Sequence, residues 1–352
     1  MFLDRTTRMK SWRRVAATVS AAALGAGLLA GCGSGAADEG AANDGANSSA
    51  SAGTFPVTVE HAFGSTTIPK APKRVVTVGY TDDQDVLAFG VKPVGMVDQY
   101  PNPAGKSPDI NTQWPWVKDK WGGARPEVIM SNGDSGPNYE KIAALRPDLI
   151  IAVYSEIDKD AYDKLSRIAP TVGRTKAEKQ PFSATWQENA QHIAKALGKP
   201  DEGTKLVKGI QDKLAAVRKE HPEFADQTAV ALSWYKDAVA PFTTKDVRGQ
   251  LLKGMGFKGQ TAIDRIAGDK FYTPLSAERM DLVDVDRVFA INDRADTEAL
   301  KKSALFTNLK VAKKGKVSYL LDSEGPAAGA AMSQATLLSL PYAIDQLVKS
   351  VG

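Results

Sequence analysis

One cysteine in 352 residues, Cys32, rules out an internal disulfide, so any core this chain builds must hold itself together. The three histidines, His61, His192 and His221, are scattered with no cysteine beside them, which excludes the ligand spacing of a zinc or other transition-metal site. Charge of one sign is also missing. Against 41 acidic residues stand 45 basic ones, several of them in Arg5, Arg8, Lys10, Arg13 and Arg14, and the balance of +4 excludes the basic stripe of a nucleic-acid binder. Neither a Gly-x-Ser-x-Gly elbow nor an HExxH helix is present. Ser155 and Ser233 fall near strand ends without an identifiable base, so an anchored hydrolase stands only as the alternative from the enzyme class.

What is present begins with an address. The basic residues precede an apolar run, Val15 to Ala30, too short to span a bilayer as a stable anchor, and the run ends in small residues. Residues 1–31 are therefore expected to be a signal peptide. Leu29-Ala30-Gly31-Cys32 resembles the lipobox of bacterial lipoproteins, in which the cysteine becomes the lipidated first residue. That resemblance implies a protein held by lipid on Cys32 at the extracytoplasmic face of the cell membrane. Arg13-Arg14 leaves open a twin-arginine export route. Residues 32–54, rich in Gly, Ala, Ser and Asn, cannot bury enough apolar surface to fold and read as a flexible tether.

The rest alternates short apolar runs with helical patterns. Strands are expected near Val57–Val59 and at 75–78, 93–97, 148–153, 228–234, 287–291 and 316–320, with helices between them at 82–89, 138–145, 161–168, 186–197, 249–255, 277–283 and 298–309. A last helical segment, 330–348, has Pro341 as its expected kink. Residues 98–125, with four prolines and Tyr100, Trp114, Trp116 and Trp121, read as a long aromatic loop. Short alternating units of this kind predict an α/β fold with parallel or mixed sheets covered by helices.

Residues 200–222 carry the longest helical pattern. Leu206, Ile210, Leu214 and Val217 form one apolar stripe, Asp201 and Glu202 sit in the first turn, and Arg218 and Lys219 in the last. The rod divides the chain into an N-terminal lobe, 55–199, and a C-terminal lobe, 223–352. Across it runs an internal echo: residues 139–153 align without a gap on 277–291, matching Glu140 with Glu278, Asp148 with Asp286, and LIIAV with RVFAI.

In their order, Pro72-Lys-Arg-Val-Val, Gly90-Val-Lys-Pro-Val-Gly, residues 138–151, Leu165-Ser-Arg-Ile-Ala-Pro-Thr-Val, Leu251-Leu-Lys-Gly-Met-Gly-Phe, Ser276-Ala-Glu, residues 309–317 and Leu338-Ser-Leu-Pro-Tyr-Ala-Ile-Asp resemble the iron-siderophore substrate-binding lipoproteins of ABC importers. Cobalamin and haem binders share that group. The resemblance spans nearly all of residues 55–350. It implies two Rossmann-like lobes joined by one long helix, the class III periplasmic binding protein type, with the ligand between them. It also implies no enzymatic activity and an ABC permease dimer as partner, onto which Glu140 and Glu278 would dock; two carboxylates at equivalent ends of a rigid body fix orientation. A monomer without a cofactor is expected, the iron entering only inside the ferric siderophore.

The rule that ligands of open α/β sheets sit beyond the carboxyl ends of the strands points to Tyr80, Tyr154, Tyr235 and Arg294. The aromatic loop adds Trp114 and Trp116, and C-lobe loops add Arg248 and Tyr272. Aromatic faces with few arginines suit a neutral or cationic ferric trihydroxamate better than a highly anionic tricatecholate. Haem, through a tyrosine ligand such as Tyr80 or Tyr154, and cobalamin are the alternatives.

Overall fold

Strands with no polar break are expected to be buried on both faces, and the apolar runs behave so. A computed structural model describes residues 53–100, 109–131, 133–322 and 324–351. The expected signal peptide, Cys32, nearly all of the expected tether and Pro101, Pro103 and Pro108 lie outside them. Twelve strands occur among the described residues: β1 Val57–His61, β2 Gly64–Ile68, β3 Val75–Thr77, β4 Gly95–Asp98, β5 Glu127–Ser131, β6 Leu149–Ala152, β7 Thr171–Gly173, β8 Thr228–Tyr235, β9 Ala238–Pro241, β10 Lys258–Gly259, β11 Arg287–Asn292 and β12 Val317–Leu321.

The N-terminal lobe holds a parallel sheet in the order β5-β4-β3-β6-β7. The C-terminal lobe holds β10-β8-β11-β12, also parallel, with β9 added antiparallel to β8. β1 and β2 form a separate antiparallel hairpin. Every residue of β3, β4, β6 and β11 is buried, as parallel sheets covered on both faces require.

The helix Pro200–Glu220 leads from the first lobe to the second. Its 21 residues span about 32 Å. Gly203, Val207, Ile210, Leu214 and Val217 are its buried face, so the stripe runs through Val207, and Leu206 is only partly covered. Helix Trp186–Ala196 packs on one end of it, and Val247–Met255 and Ser339–Val351 pack along the rest. A Cβ on Gly203 would come 2.5 Å from the Cβ of Ala194, closer than packed carbons can sit. Gly203→Leu is therefore expected to lose about 2 kcal/mol in urea unfolding through overpacking. Gly209→Ala, on the exposed face with nothing within 4 Å, is expected to gain up to about 1 kcal/mol from helix propensity. If both substitutions acted alike, the close packing at Gly203 would carry no cost.

The internal echo is physical. Asp148, just before β6, accepts the backbone N–H groups of Lys73 and Arg74 at 2.8–3.0 Å, while Asp286, just before β11, accepts that of Thr228 at 2.8 Å. In each lobe the carboxylate thus pins the start of the neighbouring strand. The helices of the echo differ, since Tyr139–Ala144 is α-helical and Ala277–Val283 is a 3-10 helix.

Three expectations change. The aromatic stretch contains two short helices, Asp109–Gln113 and Lys118–Trp121, and its tryptophans are buried, so large apolar rings override the loop signal of the prolines. The expected helix 298–309 is two, Arg294–Lys302 and Ala304–Thr307, broken at an extended Ser303. The C-terminal segment breaks at Ala335, whose φ is 50°, and not at Pro341. Pro341 lies in the first turn of Ser339–Val351, where a missing N–H costs nothing.

Candidate functional site

Parallel strands end with their carbonyls pointing outward, and the segments leaving β3, β4, β6, β11 and β12 converge on one gap between the lobes. The cleft has a volume of about 370 Å³. Tyr80, Gln99, Tyr100, Tyr154, Glu156 and Phe182 line it from the N-terminal lobe, and Ser233, Phe242, Asp246, Arg248, Phe271, Ile291, Asp322 and Ser333 from the C-terminal lobe. Tyr154 is set by Asp82, whose carboxylate accepts the N–H groups of Val153 and Tyr154 at 2.7 and 3.0 Å. Phe182 packs on Tyr154 at 4.7 Å and Tyr80 at 5.9 Å, and meets Phe271 of the other lobe edge-on at 6.4 Å. It holds φ at 68°, a conformation rarely taken by a bulky residue and found most often where function demands it.

Among the described residues Arg248 is the only lysine or arginine in the lining. Its Nε and Nη2 donate to the two carboxylate oxygens of Asp246 at 2.7 and 2.8 Å, its Nη1 donates to Ser333 at 3.2 Å, and the guanidinium lies 3.7 Å over the ring of Phe242. Asp246 is also the N-cap of helix Val247–Met255, accepting the N–H of Arg248. Burial pushes the Asp322 carboxyl up to about 6, against the pull of Arg248. Burial likewise raises the phenols of Tyr80, Tyr100 and Tyr154, keeping them neutral.

Beneath the cleft the lobes are joined by a buried amide network. Gln84 accepts from Trp116 Nε1 and Thr336 Oγ1, each at 2.9 Å, and donates to Gln334 at 2.9 Å; Asp85 accepts the N–H of Leu337 at 2.8 Å. Three of these bonds tie helix Asp82–Ala88 to Gln334, Thr336 and Leu337 of the other lobe, and a satisfied buried network of this kind favours one arrangement of the parts it joins.

Of the residues expected at the site, Tyr80, Tyr154 and Arg248 are brought together in the cleft. Tyr235 and Tyr272 sit one ring further out, edge-on at 5.8 Å, with Tyr272 against Phe271 and Phe242. Arg294 is exposed, paired with Glu324 and outside the lining. Trp114 and Trp116 lie in the core, packed edge-on at 4.5 Å, where their rings bury more surface than an open cleft offers. Tyr100, Gln99 and Asp322 were findable by the strand-end rule, since they follow β4 and β12 directly. Phe182 comes from a segment without periodicity and gave no signal.

Among the described residues no group of three His, Cys, Asp or Glu side chains could hold a metal ion, and no helix is long and apolar enough to cross a membrane. Each histidine has a local partner: His61 bonds Thr66, His192 bonds the carbonyl of Gly173 and His221 bonds Glu223. Ser155 donates to the carbonyl of Ala152 at 2.9 Å, and Ser233 lines a cleft that contains no histidine.

The model of the periplasmic binding protein family matches residues 75–324. A Bacillus subtilis protein named as a probable siderophore-binding lipoprotein is 28% identical over 285 residues, covering 77% of this chain and 82% of that one. A periplasmic solute binding protein of Mycobacterium smegmatis superposes with a TM-score of 0.71 at 31% identity, over 84% of this chain and 99% of the other. The PiaA protein of Streptococcus pneumoniae in complex with ferrichrome superposes with a TM-score of 0.68 at 27% identity, over 84% and 97%.

Proposed function

The chain belongs to the periplasmic binding protein family, and from that premise we propose that it captures a ferric siderophore of the hydroxamate type between its lobes and hands it to the permease of an ABC importer. The observation that carries this reading is the interlobe cleft, walled by Tyr80, Tyr100, Tyr154, Phe182, Phe242 and Phe271, with one arginine already paired to a carboxylate. Rings pack on the apolar linkers of a bulky chelate, and the few directed donors orient its oxygens. A highly anionic chelate would meet Glu156 and Asp322, with the one cation of the described lining already paired to Asp246; a neutral or cationic chelate avoids that repulsion. The relative named for siderophores and the structure solved with ferrichrome support a ferric chelate as the ligand class; the choice of charge rests on the cleft lining.

The iron is cargo, carried inside the chelate, and the reading needs no resident cofactor. Haem is the second reading, in which Tyr80 or Tyr154 of the cleft lining would serve as the iron ligand. The hydrolase alternative lacks a nucleophile paired with a base in the cleft. In this reading the protein acts as a monomer, tethered by lipid on Cys32 at the extracytoplasmic face of the membrane.

Docking to a permease dimer is assigned to Glu140 and Glu278, both exposed at the starts of their helices in corresponding units of the two lobes. Calorimetric titration of the purified protein with a ferric trihydroxamate, a ferric tricatecholate, haem and cobalamin tests the ligand class. Saturable binding of the trihydroxamate alone, or far tighter than the rest, is the expected result, and binding of none of the four would remove it. Glu140→Ala and Glu278→Ala are expected to keep that affinity while cellular uptake falls; loss of binding in either would place the carboxylate in ligand recognition and end its docking role.

A further inference from the structure

Whether a cleft accepts an anion depends less on how many arginines it holds than on whether their charge is free. Arg248 has five N–H donors, of which three are taken by Asp246 and Ser333. The two-point grip of the Asp246 carboxylate neutralises the guanidinium and fixes its plane on the Phe242 ring. Asp246 is itself immobile: it is buried with 4% of its side chain exposed, and it caps helix Val247–Met255 through the N–H of Arg248. The two remaining N–H groups of Arg248 can donate to neutral oxygen acceptors, while the paired carboxylate offsets much of the positive charge an anion would otherwise meet. Asp322 and Glu156, also in the lining, leave its described residues negative overall.

We propose that Asp246 is the specificity-determining residue of the cleft, and that by holding the fork of Arg248 it excludes anionic ferric chelates in favour of neutral and cationic ones. This rests on the reading of the cleft as a ferric-chelate site. Replacing Asp246 by a neutral residue takes the net charge of the pair from zero to +1, and because the pair is shielded from water an anionic ligand feels that one-unit change more strongly than the same change on the exposed surface.

The test compares two probes of similar size and different charge, a neutral ferric trihydroxamate and a trianionic ferric tricatecholate, titrated into wild-type protein and Asp246→Asn. Asparagine caps helices as well as aspartate does, so the helix is kept. Should the variant still fail to fold, Asp246→Ser, also a good cap, carries the same comparison. The ratio of the tricatecholate Kd to the trihydroxamate Kd is expected to fall about tenfold or more in the variant. Adding Arg248→Gln to it is expected to bring the ratio back toward the wild-type value, which a merely structural role of Asp246 would not do. If the wild type binds the trihydroxamate and the ratio stays within about twofold of its value in the variant, below the size of a single exposed ion pair, the assignment of Asp246 is overturned while the cleft's function stands. If the wild type binds neither probe, the chelate reading falls and this assignment falls with it.

Discussion

Arg248→Met is expected to lower the stability of the protein by about 3 kcal/mol, read as a shift in the urea midpoint with an unchanged slope. Methionine fills most of the volume of the arginine stem, so the loss is electrostatic and not a cavity effect. The substitution strands Asp246, whose side chain is 4% exposed, without its counter-charge, and removes the bond to Ser333 and the stacking on Phe242. An uncompensated buried carboxylate costs several times what the intact pair contributes, because desolvation is then unopposed. Arg248→Lys, which keeps the charge but cannot match both carboxylate oxygens at once, is expected to fall between the two. A methionine variant within about 1 kcal/mol of the wild type, the size of an exposed ion pair, would mean that the Arg248–Asp246 bonds add nothing beyond surface electrostatics.

Much of the architecture could be read from residues alone, for reasons visible in the packing. β3 and β6 are unbroken apolar runs because both faces are covered. The long helix announces itself by a proline start and charges matched to its dipole. β2, β5, β7, β9 and β10 went unread. GSTTI of β2 has one large apolar residue, EVIMS of β5 opens at the sheet edge on an exposed glutamate, and AVAP of β9 carries a proline that only an edge strand tolerates. β7 and β10 are three and two residues long, below any periodic signal.

The cleft was legible where position along a strand decides it and illegible where tertiary packing does. Tyr80 and Tyr154 follow from the strand-end rule. Trp114 and Trp116 have the composition of a binding loop, yet Trp116 sits against Trp114, Tyr342 and Gln84, and burial in the core wins. Asp246 looks in sequence like an ordinary helix cap. Only the structure shows that the cap also grips Arg248, two residues on and facing the cleft.

Raising the pH from 7 to 9 is expected to lower the melting temperature by several degrees, and Asp83→Asn to abolish most of that fall. Asp82, Asp83 and Asp85 begin helix Asp82–Ala88 with no more than 4% of any of them exposed. Asp82 and Asp85 accept backbone N–H groups from other elements, whereas one carboxylate oxygen of Asp83 has no partner. Burial, with the charges of Asp82 and Asp85 adding to it, pushes Asp83 up to about 8; burial pushes Asp85 to about 7 and Asp82 to about 6. An acid whose folded pKa is raised stabilises the fold fully below its unfolded value, and the contribution is lost as pH rises through the folded one. By pH 7 Asp82 has therefore lost essentially all of its share and Asp85 nearly all, leaving Asp83 to dominate the window above. One such group changes stability by at most about 1.4 kcal/mol per pH unit, or about 3 °C in a domain of this size. His61, held down to about 4 by burial, acts in the opposite sense but only as pH falls below its ordinary value, so it does not disturb this window. Asp83 adjoins Gln84 and Asp85, the residues bonded to Gln334, Thr336 and Leu337. A charge forming there therefore strains the joint between the lobes, while chelate affinity at pH 7 should be the same in Asp83→Asn as in wild type, since Asp83 does not line the cleft. Melting curves at pH 7, 8 and 9 decide the matter: a flat wild-type profile, or equal slopes in the two proteins, would show that Asp83 is already ionised in the folded state at pH 7.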